Sequence, residues 1–143
     1  MFSLHGYGPS IFEGTILTLE VSLASLFIAM LLGICGALAK LSRVRSLRLI
    51  AQIYTTIIRG IPDLVLMLLV FYGGQMFINQ LGPMLGYDGY IDINPFIAGV
   101  STIGFIFGAY MTETFRGAIL AVSKGQLEAG TAYGMSAFMV FRR

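Results

Sequence analysis

Five ionisable residues lie within the long apolar stretches of this sequence: Glu20, Arg59, Asp63, Glu113 and Arg116. Each costs about 3 kcal/mol to place in a bilayer core on insertion scales, so such a side chain usually faces protein or water. Carboxylates and guanidinium groups at that depth pair with one another or form charge-assisted hydrogen bonds with a polar solute. Two interpretations remain open: these residues form ion pairs that serve structure alone, or they line a path for a solute.

The spacing of these residues allows pairing within a helix. Arg59 and Asp63 are four residues apart. Glu113 and Arg116 are three apart, and both separations place side chains on one helix face. At about 1.5 Å per residue, Glu113 lies about 12 Å and Arg59 about 14 Å from the ends of their segments on the same side of the membrane. These similar depths predict that Glu113 and Arg59 can also pair between helices.

The composition is typical of a membrane protein. The chain has 143 residues, 57% of them hydrophobic and 11% charged, whereas soluble domains carry about 25% charged residues. A net charge of +2 with nine Lys and Arg excludes the basic surface of a nucleic-acid-binding protein. No GxxxxGK[ST] phosphate loop and no metal-binding or hydrolase motif is present, so we expect neither a nucleotide site of that type nor a metal or other cofactor.

Three apolar segments are long enough to cross a bilayer and predict an all-α membrane protein. Their approximate bounds are 14–39, 49–79 and 95–122. Segment 40–48 holds four basic residues and no acid, which predicts a cytoplasmic loop by the positive-inside rule. Segment 80–94 has two Asp, two Tyr and no Lys or Arg, as in an external loop. The N-terminus is therefore expected outside.

Proline interrupts the second segment. Pro62 lacks an amide hydrogen and disfavours the α conformation of Ile61, so a break is expected there. Such breaks persist in membranes where protein or a cavity, rather than lipid, surrounds them.

The third segment carries signals for its start and for packing. Asn94 is expected to cap the helix, with Pro95 at its first position. Gly104 and Gly108 form a GxxxG motif, and Thr112 continues the same small face. The motif permits close approach of another helix, either within the chain or in a dimer.

Segment 123–143 predicts two short helices joined by a glycine turn. Ser123 and Gln126 have capping-box spacing, Gly134 suits a helix C-terminal cap, and Ser136 can cap the second helix. Helices this short are marginal in water, so the segment must dock on something. The alternative is a helix lying on the lipid headgroups, anchored by the two terminal arginines.

Two blocks of sequence carry a resemblance to a known family. "YTTIIRGIPDLVLMLLVFYGG" (54–74) and "GAYMTETFRGAILAVSKGQLEAGTAYGMS" (108–136) resemble the transmembrane permease subunits of bacterial ATP-binding-cassette (ABC) importers for polar amino acids, especially of the histidine/lysine/arginine/ornithine type. The resemblance implies the type I ABC importer permease fold, with five spans. The chain ends at Arg143, so we expect a partial copy with three of them.

The second block contains the EAA loop of that family, through which the permease couples to its ATPase. The resemblance assigns this coupling role to Gly125, Glu128, Ala129, Gly130 and Gly134. Gly130 stands where the family has Ala, a small-for-small change that loosens the helix by up to about 1 kcal/mol.

The resemblance also implies the partners and the location. They are cytosolic ABC ATPase subunits, which use the ATP, a second homologous permease subunit and a periplasmic substrate-binding protein. The chain itself is then not an enzyme, and it lies in the lipid of the bacterial inner membrane.

For the substrate path we expect Arg59, Ile61, Pro62, Asp63 and Glu113. Glu113 would face the path beside the broken helix, and Asp63 and the freed backbone groups would help to bind a cationic or zwitterionic amino acid. Three alternatives remain: an opine or other amino-acid ABC permease, a fragment of a secondary transporter or channel, and a small structural membrane protein assembled by its GxxxG face.

Overall fold

The computed structural model describes residues 6–87 and 89–142; Asp88 of the expected external loop and Arg143 lie outside the described residues. The described part is helical and contains no strand. Its α-helices are α1 (Gly8–Leu41), α2 (Arg45–Gly60), α3 (Asp63–Leu68), α4 (Gly74–Leu81), α5 (Pro95–Ala121), α6 (Lys124–Ala132) and α7 (Ala137–Arg142). A π-helix (Leu69–Gly73) joins α3 to α4, and a 3₁₀ turn (Pro83–Leu85) follows α4.

Three helices are long and apolar enough to span a membrane: Gly8–Leu41, Asp63–Leu81 and Pro95–Ala121. The first extends beyond the predicted segment 14–39 at both ends, and the third ends one residue before the predicted segment 95–122. The second differs, because its first part belongs to α2, a separate amphipathic helix. Ile61 is extended, with φ −114° and ψ 139°, so the break predicted at Pro62 is confirmed and the continuous helix starts only at Asp63.

Helices α1 and α5 pack closely and run in the same direction. A Cβ at Gly104 would lie 2.7 Å from Ile28 Cγ2, and a Cβ at Gly108 would lie 2.9 Å from Leu32 Cβ. Residue numbers rise together along this contact, which makes the helices parallel. The GxxxG motif therefore serves packing within the chain.

Helix α2 crosses α5 and does not follow its length. The Tyr54 hydroxyl donates a hydrogen bond to the Phe105 carbonyl oxygen at 2.5 Å, and the next helix, α3, still contacts Tyr110. Between these points a small apolar core forms from Ile58, Leu66, Ile106 and Ala109. The crossing thus brings the Ile61–Pro62 break against the middle of α5.

Two amides of α4 hold the loop before α5. The Ile91 amide donates to Asn79 Oδ1 at 2.8 Å, and the Asn79 amide group donates to the Ile91 carbonyl at 2.9 Å. The Ile93 amide donates to Gln75 Oε1 at 3.1 Å. Asn94 then caps α5 by accepting from the Phe96 amide at 2.9 Å, which confirms the predicted cap.

Candidate functional site

The break between α2 and α3 interrupts the helical backbone in the middle of the chain. Pro62 precedes α3, and its carbonyl accepts from the Leu66 amide at 3.1 Å. Ile61 is half-buried beside the apolar core, whereas Pro62 is exposed. Asp63 is the first residue of α3, where the positive end of the helix dipole favours a carboxylate.

The charges on the two sides of this break do not pair with each other. The prediction of an ion pair between Arg59 and Asp63 on one helix is wrong, because Ile61 and Pro62 separate their helices. Tyr110 of α5 lies between them instead. Its hydroxyl donates to Asp63 Oδ1 at 2.9 Å, and the Arg59 Cζ atom lies 5.6 Å from its ring centroid, within the range of a cation–π interaction.

Sequence reasoning did not identify Tyr110. The available signal was its position three residues before Glu113 on the same face of α5. We call Arg59, Asp63 and Tyr110 the break cluster.

Glu113 lies one turn further along α5 and is held by two cations of its own chain. The Arg116 Nε donates to Glu113 Oε2 at 3.0 Å, so the pair predicted within the helix is confirmed. The Lys40 Nζ contacts Oε1. The interhelical pair predicted between Glu113 and Arg59 is therefore wrong, because Lys40 takes that position.

Lys40 also joins α2 to this group. It is in the last turn of α1, and its Nζ donates to Thr55 Oγ1 at 2.5 Å. Thr55 is 2% exposed, and the side chains of Lys40 and Glu113 are 11% and 19% exposed. We call Lys40, Thr55, Glu113 and Arg116 the Lys40 cluster. It connects three helices with two positive charges and one negative charge.

The expected path residues thus fall into two neighbouring groups. Arg59, Ile61, Pro62 and Asp63 lie together at the break, while Glu113 belongs to the Lys40 cluster. Tyr110 and Glu113 connect the two groups, since they occupy successive turns of α5. The break cluster offers a guanidinium group and a carboxylate that do not pair with each other, beside the start of α3.

Helices α6 and α7 form the glycine-linked pair that the sequence predicts. Gly134 has φ 77°, and the amides of Gly134 and Met135 donate to the carbonyls of Thr131 and Gly130 at 2.9 and 3.1 Å, which is the Schellman pattern. Ser136 accepts from the Met139 amide at 3.4 Å. The predicted capping box does not form, because the Ser123 side chain makes no capping hydrogen bond.

Gly130 has a packing reason to be glycine. A Cβ at this position would lie 2.9 Å from Val140 Cγ2 of α7. The other residues assigned to coupling, namely Gly125, Glu128, Ala129 and Gly134, are exposed. Within the described residues, α6 and α7 contact each other and no other helix. The pair therefore presents a surface that this chain does not cover.

Comparison with known proteins finds a matching family and several similar proteins. Residues 21–143 match the family described as binding-protein-dependent transport system inner membrane component. The chain is 54% identical over 140 residues to the histidine/lysine/arginine/ornithine transport system permease protein HisQ of Salmonella typhimurium. It is 39% identical over 142 residues to the octopine transport system permease protein OccQ of Rhizobium meliloti. These alignments cover 98% and 99% of this chain but 61% and 60% of the relatives, so the chain spans about three fifths of their length.

A solved structure shows the same fold. The crystal structure of an amino acid ABC transporter with histidines superposes with a TM-score of 0.76 at 35% identity. The superposition covers 98% of this chain and 60% of the other. The helices described above thus have the arrangement of part of an ABC transporter permease.

Proposed function

We propose a transport function for this chain, which belongs to the family of binding-protein-dependent transport system inner membrane components. It acts as a permease subunit of an ATP-driven importer of polar amino acids, in particular the basic ones. The observation that carries the proposal is the exposed α6–α7 pair, which contacts no other helix in the described part of the chain. The substrate class follows the 54% identity with the permease named for histidine, lysine, arginine and ornithine; an opine is the second candidate, from the 39% identity with the octopine permease.

The partners in this proposal supply the energy and the substrate. A cytosolic ATPase binds the α6–α7 pair and hydrolyses ATP, so the permease chain itself needs no nucleotide and no cofactor. A second homologous permease subunit completes the path through the membrane. A periplasmic binding protein delivers the amino acid to the side of the 80–94 loop. Closure of the ATPases shifts the permease between two orientations of the path.

The break cluster is the proposed contact for the amino acid. Asp63 attracts the ammonium or guanidinium group and Arg59 attracts the carboxylate, beside the Ile61–Pro62 break where α2 ends and α3 begins. Glu113 lies at the inner end of this path. A basic substrate reaches its Oε1 only by displacing Lys40, so Asp63 is the first carboxylate that the substrate meets.

Uptake measurements in proteoliposomes test the proposal. The complete permease is reconstituted with its ATPase and binding protein, and radiolabelled lysine is supplied on the binding-protein side. Uptake is expected to require ATP on the ATPase side and to fail when Glu128 is replaced by Lys. Replacement of the exposed Met84 by Ser, on the opposite loop, serves as the control. Lysine uptake that continues without ATPase or ATP would instead identify a secondary transporter or a channel.

A further inference from the structure

The Lys40 cluster joins three helices at the second half of α5, the half that leads to α6. Lys40 contacts Glu113 of α5 and Thr55 of α2 through the same Nζ atom. Separation from Glu113 and Thr55 would leave the Lys40 ammonium group, in a side chain that is 11% exposed, without a counter-charge, although Glu113 would keep Arg116; an unpaired charge in such a place is strongly unfavourable. The cluster therefore resists separation of α1, α2 and α5.

The packing next to the cluster also prevents sliding of α1 along α5. A Cβ at Gly36 would lie 2.9 Å from Thr112 Cγ2, and a Cβ at Gly33 would lie 2.5 Å from Met111 Cβ. Thr112 is fully buried. The two helices approach so closely that side chains of one fill the glycine gaps of the other.

The remaining span is attached differently. The helix that starts at Asp63 follows the extended Ile61–Pro62 link. Its first turn contacts α5 through the Tyr110–Asp63 hydrogen bond and the small core around Leu66, and its other end is held to the loop before α5 by Gln75 and Asn79. No ion pair of the described part of the chain holds it.

We infer that Lys40 is a positioning residue that makes α1, α2 and α5 move as one body when the α6–α7 pair is displaced. Only Val122 and Ser123 separate α5 from α6, so displacement of the pair is transmitted directly to α5. The Lys40 cluster passes that displacement to α1 and α2, while the first turns of the Asp63–Leu81 span can reorient at the break cluster about the end that Gln75 and Asn79 hold. The inference rests on the proposed function.

The ratio of lysine molecules imported to ATP molecules hydrolysed tests this role in the reconstituted complex. In Lys40→Met the ratio is expected to fall roughly fivefold or more, the lower end of the range for conformational coupling, while ATP hydrolysis continues. Lys40→Arg is expected to restore most of it. The matched control is Arg48→Met, an exposed basic residue outside both ion pairs. If import and hydrolysis fall together and the ratio stays constant, Lys40 only supports the fold and the inference is wrong.

A crosslink provides a second, independent measurement. In a Cys35→Ala background, Gly36→Cys and Thr112→Cys introduce a cysteine pair between α1 and α5. A Cβ at Gly36 lies 3.1 Å from the Thr112 Cβ, and a disulfide needs about 3.5–4.5 Å, so small adjustments suffice. Helices that move as one body should import lysine equally well when oxidised or reduced.

The outcomes of the crosslink separate the two proposals. Import that is lost on oxidation and recovered on reduction would show that α1 and α5 move apart, against the inference. If the reduced double variant does not fold, the Lys40 ratio decides. Wild-type import that needs no ATP would refute the proposed function instead.

Discussion

At the residue scale, Tyr110 lets two opposite charges share a small space without pairing. Its hydroxyl donates a hydrogen bond to Asp63 and its ring lies against the Arg59 guanidinium group. An ion pair between these residues would neutralise both groups, and a zwitterion would then have to break it before binding. With Tyr110 between them, each charge keeps capacity for a ligand.

Replacement of Asp63 by Asn is the corresponding prediction. The loss of a charged hydrogen-bonding partner is expected to raise the KM for lysine uptake by roughly tenfold, since such bonds contribute about 1.5–3 kcal/mol. Tyr110→Phe should have a smaller effect, because it removes a neutral donor. Tyr72→Phe, an exposed tyrosine, is the control. The KM is measured from the uptake kinetics of the reconstituted permease. An unchanged KM in Asp63→Asn would show that Asp63 does not contact the substrate.

The residues of these clusters could be predicted only in part from the sequence. Residues within one turn of a helix determine their own neighbours, so the Glu113–Arg116 pair was predictable. Lys40 was assigned to a loop, although it lies in the last turn of α1. The length of α1 depends on packing against α5, which the local sequence does not show. Arg59 was predicted at a depth similar to that of Glu113, and it lies beside Tyr110, one turn of α5 away; the pair fails because Lys40 from α1 contacts Glu113 instead.

At the element scale, the glycines of α5 fall into two classes. Gly104 and Gly108 lie in the contact with α1, where a Cβ would be closer than 3 Å to a neighbouring side chain. Gly99, on the same helix, has nothing within 4 Å of its Cβ position. Gly104→Ala is therefore expected to destabilise the helix pair by about 1–3 kcal/mol through overpacking.

The measurement for this prediction is the thermal unfolding temperature of the purified permease in detergent. Gly99→Ala should leave the temperature unchanged or raise it slightly, because Ala favours a helix by up to about 1 kcal/mol over Gly. Equal temperatures for the two variants would mean that the α1–α5 contact relaxes to accept a methyl group.

Gly134 determines the turn between α6 and α7. Its φ of 77° lies in the left-handed region, which costs a residue with a Cβ about 1–2 kcal/mol. Gly134→Ala is expected to weaken retention of the ATPase on the permease by roughly fivefold, the equivalent of about 1 kcal/mol. Pull-down of the ATPase at graded concentrations measures this. Gly117→Ala, whose Cβ position has open space, should bind as wild type does.

Helix ends were the most predictable elements, since their signals are local. Asn94, Pro62 and Gly134 act through hydrogen bonds and dihedral angles within a few residues. Ser123 failed as a capping box because the main-chain bond from the Gln126 amide to the Ser123 carbonyl satisfies the first turn without its side chain. The glycine at position 130 could not be explained without α7, which provides the Val140 contact.

At the scale of the whole molecule, the parallel contact of α1 and α5 constrains the topology. Two parallel spans start on the same side, so the chain between them must cross the membrane once more. Between them, the Asp63–Leu81 helix is the one in the described residues that is long and apolar enough for this crossing. Large apolar side chains such as Leu23, Leu64 and Leu69 are exposed along these helices, as expected for spans that face lipid or other helices of a complex.

Cysteine accessibility tests this topology together with its orientation. In a Cys35→Ala background, single cysteines replace Ser46 at the start of α2, Met84 after α4 and Gln126 in α6, all exposed. The basic 40–48 segment belongs on the cytoplasmic side by the positive-inside rule, so a membrane-impermeant maleimide applied to spheroplasts should label only the Met84 position. The other two should react after the membrane is disrupted. Labelling of Ser46 and Gln126 from outside would invert the orientation, and reaction of these two from opposite sides would contradict the three-span arrangement that the α1–α5 contact requires.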